Sequence, residues 1–466
     1  MTKVRSVVDA NGVRYELVEL LGRGGQGAVY AVNGGRLAVK LVAGRSQRDR
    51  ERMRNQLTHV RRLPVGELSL AKPLEMLRPP HTGYVMELLT GMVPIRSLLT
   101  PPRGESPGVE WYLRTGGLRR RLLVLARAAH TLARLHGKGL AYSDPSPANI
   151  FISDDPTFAE VWFIDTDNLR YESSPGTLAG VYTPGYGAPE LVQGKSGVTT
   201  LTDVHAFAVI AFQVLALAHP FVGDFVNEGE PELEEKAFAG LIPWVDDTED
   251  DRNRASFGVP REWVLSTRLA EAFDWTFGAG RLTPSERPGA AEWAERLFAA
   301  ADATIRCPGC GGSFYFNQPR CTWCDAERPT FATAVFHLWD PNHGAGGGIL
   351  TKPKHGEPRP VIVGHGAVTS TNAFIVTRRL AFDTQGPNAD EPVVEASLSR
   401  GRISLRSLDG KPYPLFSASG DRQTVVSDRP QTVSLVPGQA SWRLHLGETG
   451  RLHRVLSFEL RPGREP

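Results

Sequence analysis

The chain has few cysteines and no long apolar run, and each shortage excludes a class of protein. Only 4 of its 466 residues are cysteine, and all of them lie between Cys307 and Cys324, which argues against a disulfide framework dispersed along the chain. No apolar run approaches the roughly 20 residues that a helix needs to span a bilayer. The N-terminus has no apolar core or cleavage site of a signal peptide. We therefore expect a cytoplasmic protein without a membrane anchor.

An excess of charge of either sign is also missing. Lysine and arginine together number 53, aspartate and glutamate 51, and the formal net charge is +2. This balance gives no support for a protein that coats nucleic acid or binds a membrane surface. With 41% hydrophobic and 22% charged residues, the composition is that of an ordinary globular protein. The length allows two or three domains.

A glycine-rich stretch, Gly22-Arg23-Gly24-Gly25-Gln26-Gly27-Ala28-Val29, lies between two predicted strands at residues 15–21 and 35–42. A dinucleotide-binding fold would need a helix after these glycines. A hairpin instead indicates a flap whose backbone amides approach phosphate oxygens with no Cβ in the way. Taken alone, the stretch is equally compatible with a glycine-rich turn in any hairpin. The next strand ends in Leu37-Ala38-Val39-Lys40, at a spacing that suits a hairpin partner.

Three later stretches carry acidic or amide groups in a fixed order. Asp144 and Asn149 lie five residues apart within an apolar context, and Asp165 ends an apolar strand at residues 160–165. The third is Thr183-Pro184-Gly185-Tyr186-Gly187-Ala188-Pro189-Glu190. With the glycine stretch and Lys40, these motifs resemble, in order, the glycine-rich loop, V-A-I-K, H-R-D-x-x-x-x-N, D-F-G and A-P-E motifs of eukaryotic-like Ser/Thr protein kinases.

The resemblance implies an α+β, bilobal protein-kinase fold over residues 1–300, with ATP and Mg²⁺ (or Mn²⁺) as cofactors. It assigns catalytic roles to Asp144 as the base and to Lys40, Asn149 and Asp165 around the nucleotide, with Asn149 and Asp165 as metal ligands. The nucleotide itself would contact Gly22, Gly24, Gly27, Val29, Lys40 and the backbone of Glu87, Leu88 and Leu89.

Other residues are expected to brace the fold. In the family, Glu190 pairs with a late arginine, here Arg287, and Asp203 supports the catalytic loop from below. The helix expected over residues 45–63 should supply a glutamate for Lys40, but Glu51 falls about 160° from the apolar stripe at 100° per residue, so we expect it to face solvent. The family position corresponds to Met53, which leaves Lys40 unpaired in this helix.

Several departures separate the fold from the activity. Tyr142-Ser143 stand where the family has H-R, so we predict activity that does not depend on a phosphate in the segment containing Thr177 and Thr183. Ser146 replaces the lysine that neutralises the transferred phosphoryl group. Asp167 follows Thr166 where the family has Phe-Gly; it could be a second metal ligand or a turn former, and we favour the turn former. Two functions stay open: an active Ser/Thr kinase and an ATP-binding pseudokinase scaffold.

Two C-x-x-C pairs, Cys307/Cys310 and Cys321/Cys324, are separated by ten residues. Each pair can present two thiolates to one tetrahedral Zn²⁺, a spacing that resembles a zinc ribbon over residues 301–329. Two disulfides or a redox dithiol are the alternatives. Four thiolates leave no open position, which argues against catalytic zinc. So short a span cannot bury a large core, so the metal should dominate its stability.

From residue 330 helical periodicity vanishes, and short β-rich runs alternate with turns, which predicts an all-β, sandwich-like domain over residues 330–466. The predicted strands include residues 334–338, 361–363, 373–382, 393–398 and 441–446. Residues 100–117 are expected to form a surface loop. The glycine-arginine, serine and asparagine pattern of phosphothreonine-binding forkhead-associated domains is not evident. We therefore expect a module for packing or partner binding.

The order of kinase, ribbon and β-domain loosely resembles that of kinases encoded in tellurite-resistance-associated clusters. That resemblance implies a protein substrate or partner, with a von Willebrand A protein or a metal-dependent phosphatase as examples. A zinc-ribbon nucleic-acid binder is a further alternative. The near-neutral charge and the lack of an aromatic-basic cluster count against it.

Overall fold

The fold is described from a computed structural model, over residues 5–24, 27–43, 46–106, 108–173, 182–343, 347–354, 357–386 and 388–463. The chain forms two compact units, residues 1–115 with 120–297 and residues 116–119 with 298–466. Within these described ranges, no helix is both long and apolar enough to cross a membrane. The domain limits at residues 300 and 329 stay predictions.

The first unit begins with an antiparallel sheet and one long helix. Its strands are β1 (Ser6–Val8), β2 (Arg14–Gly24), β3 (Gly27–Val32), β4 (Leu37–Val42), β5 (Glu75–Met76) and β6 (Gly83–Glu87), in the order β1-β2-β3-β4-β6-β5, and the helix between β4 and β5 is α1 (Gln47–Arg62). Ser46 caps α1 because its hydroxyl oxygen accepts a hydrogen bond from the backbone N–H of Asp49. The Asp49 carboxylate in turn accepts a hydrogen bond from the backbone N–H of Ser46. This capping box explains why the helix begins where it does.

The rest of the first unit is mainly helical, with short strands around the candidate site. The strands are β7 (Met92–Pro94), β8 (Leu140–Ala141), β9 (Ile150–Ser153), β10 (Val161–Phe163) and β11 (Arg170–Tyr171). The helices are α2 (Val109–Arg114), α3 (Gly117–His136), α4 (Pro189–Val192), α5 (Thr200–Ala216), α6 (Asp224–Asn227), α7 (Pro231–Phe238), α8 (Arg261–Val264), α9 (Thr267–Phe277), α10 (Ala279–Leu282) and α11 (Ala290–Asp302). Four 3₁₀ turns join them: Ile95–Leu98, Thr166–Asn168, Asp251–Asn253 and Pro284–Glu286.

Helix α5 forms the centre of this helical part. It is apolar on all sides, and nearly all of its residues are buried, as expected for a helix inside a core. Thr199 caps it through a hydrogen bond to the backbone of Thr202. The polar side chain of Asp203 in its first turn is fully buried. A charge at such a place must be satisfied by hydrogen bonds, which the catalytic loop provides.

Residues 100–117 are not only a loop. They contain α2, whose Trp111 and Tyr112 are buried. The prediction of a surface loop was therefore wrong for the second half of the stretch. The aromatic pair supplies the apolar face that holds this short helix against the core.

The second unit is largely β-structure. Its strands are β12 (Thr304–Arg306), β13 (Ser313–Tyr315), β14 (Phe331–Asp340), β15 (Gly348–Ile349), β16 (Thr351–Lys354), β17 (Glu357–Pro360), β18 (Ile362–Thr369), β19 (Phe374–Thr377), β20 (Pro392–Ser399), β21 (Arg402–Ser407), β22 (Tyr413–Ser417), β23 (Gln423–Val426), β24 (Gln431–Ser434), β25 (Ala440–His445) and β26 (His453–Arg461), and α12 (Arg378–Phe382) lies between β19 and β20. One sheet follows the order β15-β14-β26-β25-β22-β23, with β18 also paired to β14, and a second follows β19-β20-β21-β24.

The inner faces of these two sheets share one hydrophobic cluster. Phe336 and Phe458 come from the first sheet, and Val394 and Ile403 from the second. This arrangement confirms the prediction of an all-β, sandwich-like region. One predicted strand was partly wrong: residues 373–382 form β19 only in their first half. The second half, Arg-Arg-Leu-Ala-Phe, is helix α12, and its arginine, leucine and alanine favour helix over strand.

Candidate active site and cysteine cluster

The glycine-rich stretch lies at the turn of the β2–β3 hairpin. Gly22 pairs with Val29 and Gly24 with Gly27, while Gly25 and Gln26 lie outside the described residues. Gly27 has a φ of +154° on a closely packed backbone, and a Cβ added there would lie 2.1 Å from the carbonyl oxygen of Leu41 on β4. A Cβ added at Gly22 would meet nothing within 4 Å. Close packing against β4 therefore requires a glycine at position 27, whereas packing does not require one at position 22.

Lys40 lies in the middle of the sheet, opposite Val29 on β3 and Tyr84 on β6. Directly opposite residues in antiparallel strands present their side chains on the same face. The Lys40 Nζ is 2.6 Å from Asp165 Oδ1 and 2.6 Å from Asp167 Oδ2. Lys40 is 6% exposed. The structure thus brings Lys40 and Asp165, 125 positions apart, into direct contact.

Asp167 lies in the 3₁₀ turn Thr166–Asn168, as interpreted, but its side chain does more than form a turn. Its side chain is 2% exposed, and its second oxygen, Oδ1, accepts a hydrogen bond of 2.7 Å from the hydroxyl of Tyr84. Burial raises the pKa of Asp167, and the charge of Lys40 opposes that rise. We call Lys40, Tyr84, Asp165 and Asp167 the lysine–aspartate cluster. Sequence reasoning missed Tyr84, which only the β4–β6 register would have revealed.

The proposed catalytic residues Asp144 and Asn149 lie in the loop between β8 and β9. Asp144 Oδ1 accepts hydrogen bonds of 2.8 Å from both the backbone N–H and the hydroxyl of Thr183. The side-chain amide of Asn149 donates to the carbonyl oxygen of Asp144 at 3.1 Å. Burial raises the pKa of Asp144, although the two bonds from Thr183 oppose the rise. The carboxylate is therefore held in place, facing the residue before Pro184.

Asp203 fixes this loop from beneath. It accepts the backbone N–H groups of Tyr142 at 2.6 Å and Ser143 at 2.8 Å, and His136 Nε2 lies 3.1 Å from its Oδ2. The bracing role of Asp203 is thereby confirmed. Ser143 has a φ of +86° and Asp165 a φ of +55°. Left-handed backbone at non-glycine residues costs free energy and persists where surrounding contacts enforce it.

Tyr142 and Ser143, which replace the family's H-R pair, tie the loop to residues on both sides of Asp165. The hydroxyl of Tyr142 donates to the carbonyl of Ile164, and the hydroxyl of Ser143 donates to that of Asn168 at 2.9 Å. Strand β11 also pairs with β8. These contacts hold residues 164–171 without any phosphate. Thr177 lies outside the described residues.

Helix α1 contributes an amide, not a carboxylate, to the site. Glu51 is exposed, as its phase predicted, and Met53 packs beside Tyr84 in a small hydrophobic cluster. Gln56 Nε2 donates to the carbonyl oxygens of Asp167 at 3.2 Å and Leu169 at 3.4 Å. The helix therefore contacts the segment after Asp165 through neutral hydrogen bonds to its backbone.

The stretch expected to hold the adenine, Glu87 to Leu89, lies at the end of β6. The N–H of Leu88 donates to the carbonyl of Arg36 at 3.1 Å, and its side chain packs against the cluster around Tyr84. The backbone N–H of Leu88 is thus committed to the protein. Reading of a base would fall to the carbonyl of Glu87 and to Leu89.

Two further features lie beside the catalytic loop. Arg287 Nη1 and Nη2 each lie 2.7 Å from an oxygen of Glu190, which confirms the predicted pair.

A cavity of about 390 Å³ is lined by residues that include Ser146, Thr183, Tyr186 and Gln213. Because Thr183 contacts Asp144, this cavity adjoins the proposed base.

In the second unit, the four cysteines converge. Cys307 and Cys310 occupy the turn between β12 and β13, and Cys321 and Cys324 a second turn. Their Sγ atoms all lie within 4.8 Å of one another, with separations of 3.6 Å for Cys307–Cys324 and 3.7 Å for Cys310–Cys321. A tetrahedron with metal–sulfur bonds of about 2.3 Å has edges of about 3.8 Å. The donor set therefore fits Zn²⁺, whereas a disulfide needs about 2.05 Å.

The cysteine turns do not stand alone. Cys307 and Cys321 share a hydrophobic cluster with Phe314, Phe331 and Ala367, of which the last two belong to β14 and β18. The expectation that metal alone dominates the stability of this short span needs adjusting, because apolar burial against the larger sheet also contributes.

The family model described as "Protein kinase domain" matches residues 15–297, more than half of the chain. The chain is 33% identical over 310 residues to the DNA damage-responsive serine/threonine-protein kinase RqkA of Deinococcus radiodurans, covering 59% of this chain and 43% of that protein. It is 30% identical over 224 residues to the serine/threonine-protein kinase Pkn1 of Myxococcus xanthus, covering 45% of this chain and 30% of that protein. The chain spans less than half the length of these relatives.

Proposed function

The chain belongs to the protein kinase family, and from that premise we propose that it transfers the γ-phosphoryl group of ATP to serine or threonine hydroxyls of a protein. The observation that carries the proposal is the convergence of the lysine–aspartate cluster with the loop of Asp144. Lys40 contacts Asp165 at 2.6 Å, and Asp144 is held by Thr183. The two groups are joined by the N–H of Ile164, which donates to the carbonyl of Asn149 at 2.9 Å. A cation, a metal-binding carboxylate and a base are the groups that phosphoryl transfer requires.

Each residue has a proposed task. Gly22, Gly24, Gly27 and Val29 would cover the phosphates, and Glu87, Leu88 and Leu89 would border the base. Lys40 would neutralise phosphate charge. Asp165 keeps part of its side chain exposed (28%), and Asn149 donates only its amide nitrogen to Asp144, so carboxylate and amide oxygens are available for Mg²⁺ or Mn²⁺. The bound metal would supply positive charge between the phosphates.

On the acceptor side, Asp144 would take the proton of the substrate hydroxyl. Its bonds to Thr183 orient the carboxylate before substrate arrives, which lowers the cost of reaching a reactive geometry. The adjoining cavity of about 390 Å³ gives the acceptor room beside Asp144, and membership of the protein kinase family supports a protein segment as that acceptor.

A second candidate function, an ATP-binding pseudokinase scaffold, is favoured by one observation. Ser146 stands where the family has a lysine, and it is buried (2% exposed). Without that lysine, the charge of the transferred group is less well neutralised. The scaffold would bind ATP and partners without turnover.

The test is transfer of labelled γ-phosphate from ATP with Mg²⁺ or Mn²⁺, to the chain itself and to a generic basic protein. We expect label in the wild type and a loss of at least about 100-fold in Asp144→Asn, the scale of a missing general base. Lys40→Met should lose a similar factor. Asp154→Asn, a change of the same kind at an exposed position, should behave as wild type. Binding of ATP with no label would establish the scaffold instead.

For the second unit, we propose that Cys307, Cys310, Cys321 and Cys324 hold a structural Zn²⁺. The sulfur separations of 3.6 and 3.7 Å support this assignment. We further propose a three-part organisation, with a kinase domain to residue 300, a zinc ribbon at 301–329 and a β-domain at 330–466 that binds protein partners. A von Willebrand A protein or a metal-dependent phosphatase, and a cytoplasmic location, remain proposals from the sequence.

A further inference from the structure

Lys40 is a buried cation whose partners do not come from the helix that follows it. Helix α1 has two carboxylates. Asp49 is bonded to the backbone N–H and hydroxyl of Ser46, and Glu51 is exposed and accepts a bond from Gln47. In the described chain, the ion pairs of Lys40 go to Asp165 and Asp167, which lie after β10.

The two aspartates differ in what remains available on them. Both oxygens of Asp167 are engaged by protein donors, Oδ2 by Lys40 and Oδ1 by Tyr84. Its side chain is buried (2% exposed), whereas that of Asp165 is 28% exposed. Asp165 therefore has the accessibility that a metal ligand needs. Asp167 has the geometry of a carboxylate dedicated to Lys40.

We propose that Asp167, oriented by Tyr84, is the positioning residue that holds Lys40 for ATP, in place of a glutamate from helix α1. The inference rests on the proposed kinase function. A buried ammonium requires a counter-charge that stays with it. When Asp165 is engaged by the metal, Asp167 is the remaining carboxylate in contact with Lys40.

This assignment changes what the helix has to do. Lys40, Tyr84 and Asp167 lie on two neighbouring strands and on the segment that also carries Asp165, so one rigid region aligns the cation and the metal ligand. Helix α1 contacts that segment through Gln56, which bonds to backbone carbonyls. No inward movement of a helix carboxylate is needed to complete the site.

The experiment is a double-mutant cycle on ATP affinity, measured by calorimetry of the full chain with Mg²⁺. We expect Asp167→Asn to weaken binding on the order of tenfold, the scale of one lost charge-assisted hydrogen bond. Lys40→Met should weaken it by a similar factor. Because Asp167 acts through Lys40, the double variant should be no weaker than Lys40→Met alone. A purely structural role would make the two losses multiply, and that result would overturn the proposal.

Two further variants keep the test decisive. Tyr84→Phe removes one hydroxyl and keeps all charges, so it should weaken ATP binding in the same direction by a smaller factor, even if Asp167→Asn fails to fold. Glu51→Gln should leave the ATP affinity unchanged. A loss of affinity in this variant would show that helix α1 does supply the carboxylate that positions Lys40. Undiminished ATP affinity in both Asp167→Asn and Tyr84→Phe would reject the role of Asp167 but leave the proposed kinase function standing. No ATP binding by the wild type would reject the proposed function with it.

Discussion

The lysine–aspartate cluster and the cysteine cluster both gather polar side chains that are distant in sequence, but they balance charge differently. In the first, an ammonium lies 2.6 Å from each of two carboxylates, so its own residues supply both signs. In the second, four thiols lie within 4.8 Å of one another. Ionised thiolates at that distance repel, and only a bound cation can make them attractive.

The difference teaches where each region obtains its stability. Lys40 and Tyr84 of the first cluster lie on a sheet with its own hydrophobic core, and Lys40 is paired with carboxylates before any ligand arrives. The second lies in two turns that share a modest apolar cluster with the neighbouring sheet. Loss of ligand should therefore leave the first region folded and loosen the second.

The largest effect should come from breaking the metal site. Cys321→Ser leaves three thiolates, and we expect it to lose zinc and to destabilise the second unit by more than the about 3–5 kcal/mol of a broken buried ion pair. Metal content and thermal unfolding of the full chain would measure this. Asn317→Ser, at an exposed position of the same segment, is the matched control. ATP affinity should survive, and its loss would contradict the contrast between the two regions.

The second test asks whether pairing is what permits buried charge in the first unit. Arg287 is fully buried against Glu190, so Arg287→Ala leaves an uncompensated carboxylate and should reduce the free energy of unfolding by about 3–5 kcal/mol. Chemical denaturation measures the loss. Adding Glu190→Gln should recover part of it, because the unpaired charge is then gone. Strictly additive losses would show that the pairing does not matter.

A third test uses the pH dependence of phosphotransfer, which reports on the carboxylate of Asp144. Burial raises the pKa of Asp144 above its ordinary value, and the bonds from Thr183 oppose that rise. A base must be deprotonated, so phosphotransfer should be present above this pKa and fall, at most tenfold per pH unit, as the pH drops through it. Removing the hydroxyl in Thr183→Val should move the acidic limb of kcat/KM to higher pH. A limb that stays in place would mean that Asp144 is not the base.

The smallest effect concerns phosphate, and we expect none. Ser143 bonds to Asn168 after Asp165, and Tyr142 bonds to Ile164 before it, so we expect that this part of the chain needs no arginine–phosphate contact. Activity should be the same before and after treatment with a phosphatase that is then removed, and Thr177→Ala should match the wild type. A clear fall in rate after either change would show that charge pairing in this region is incomplete without phosphate.

Motif order was enough to predict the family and the fold, and both are confirmed. The order of Lys40, Asp144, Asn149 and Asp165 carries this information because a phosphoryl-transfer site needs those groups from successive elements. Helical phase also placed Glu51 correctly in solvent. The roles of the individual site residues stay predictions until the experiments above are done.

The sequence could not reveal the partner of Lys40. Asp167 lies 127 positions away, and its local context, Asp-Thr-Asp-Asn, has the composition of a turn. Tyr84 contributes through the strand register, which hydrophobic pattern alone does not specify. In the second unit, β22 was missed because Pro412 and Pro414 flank its first residue in a Lys-Pro-Tyr-Pro sequence, and proline reads as a strand breaker.

The close approach at Gly27 has a consequence for anyone designing variants of the glycine flap. A methyl group there would collide with β4 at Leu41, the residue next to Lys40. Gly27→Ala would therefore change both the spacing between β3 and β4 and the position of the Lys40 side chain. Its phenotype would report a shifted sheet instead of a lost phosphate contact. At Gly22 an added methyl meets open space. This is the position at which the glycine flap can be altered without disturbing strand β4.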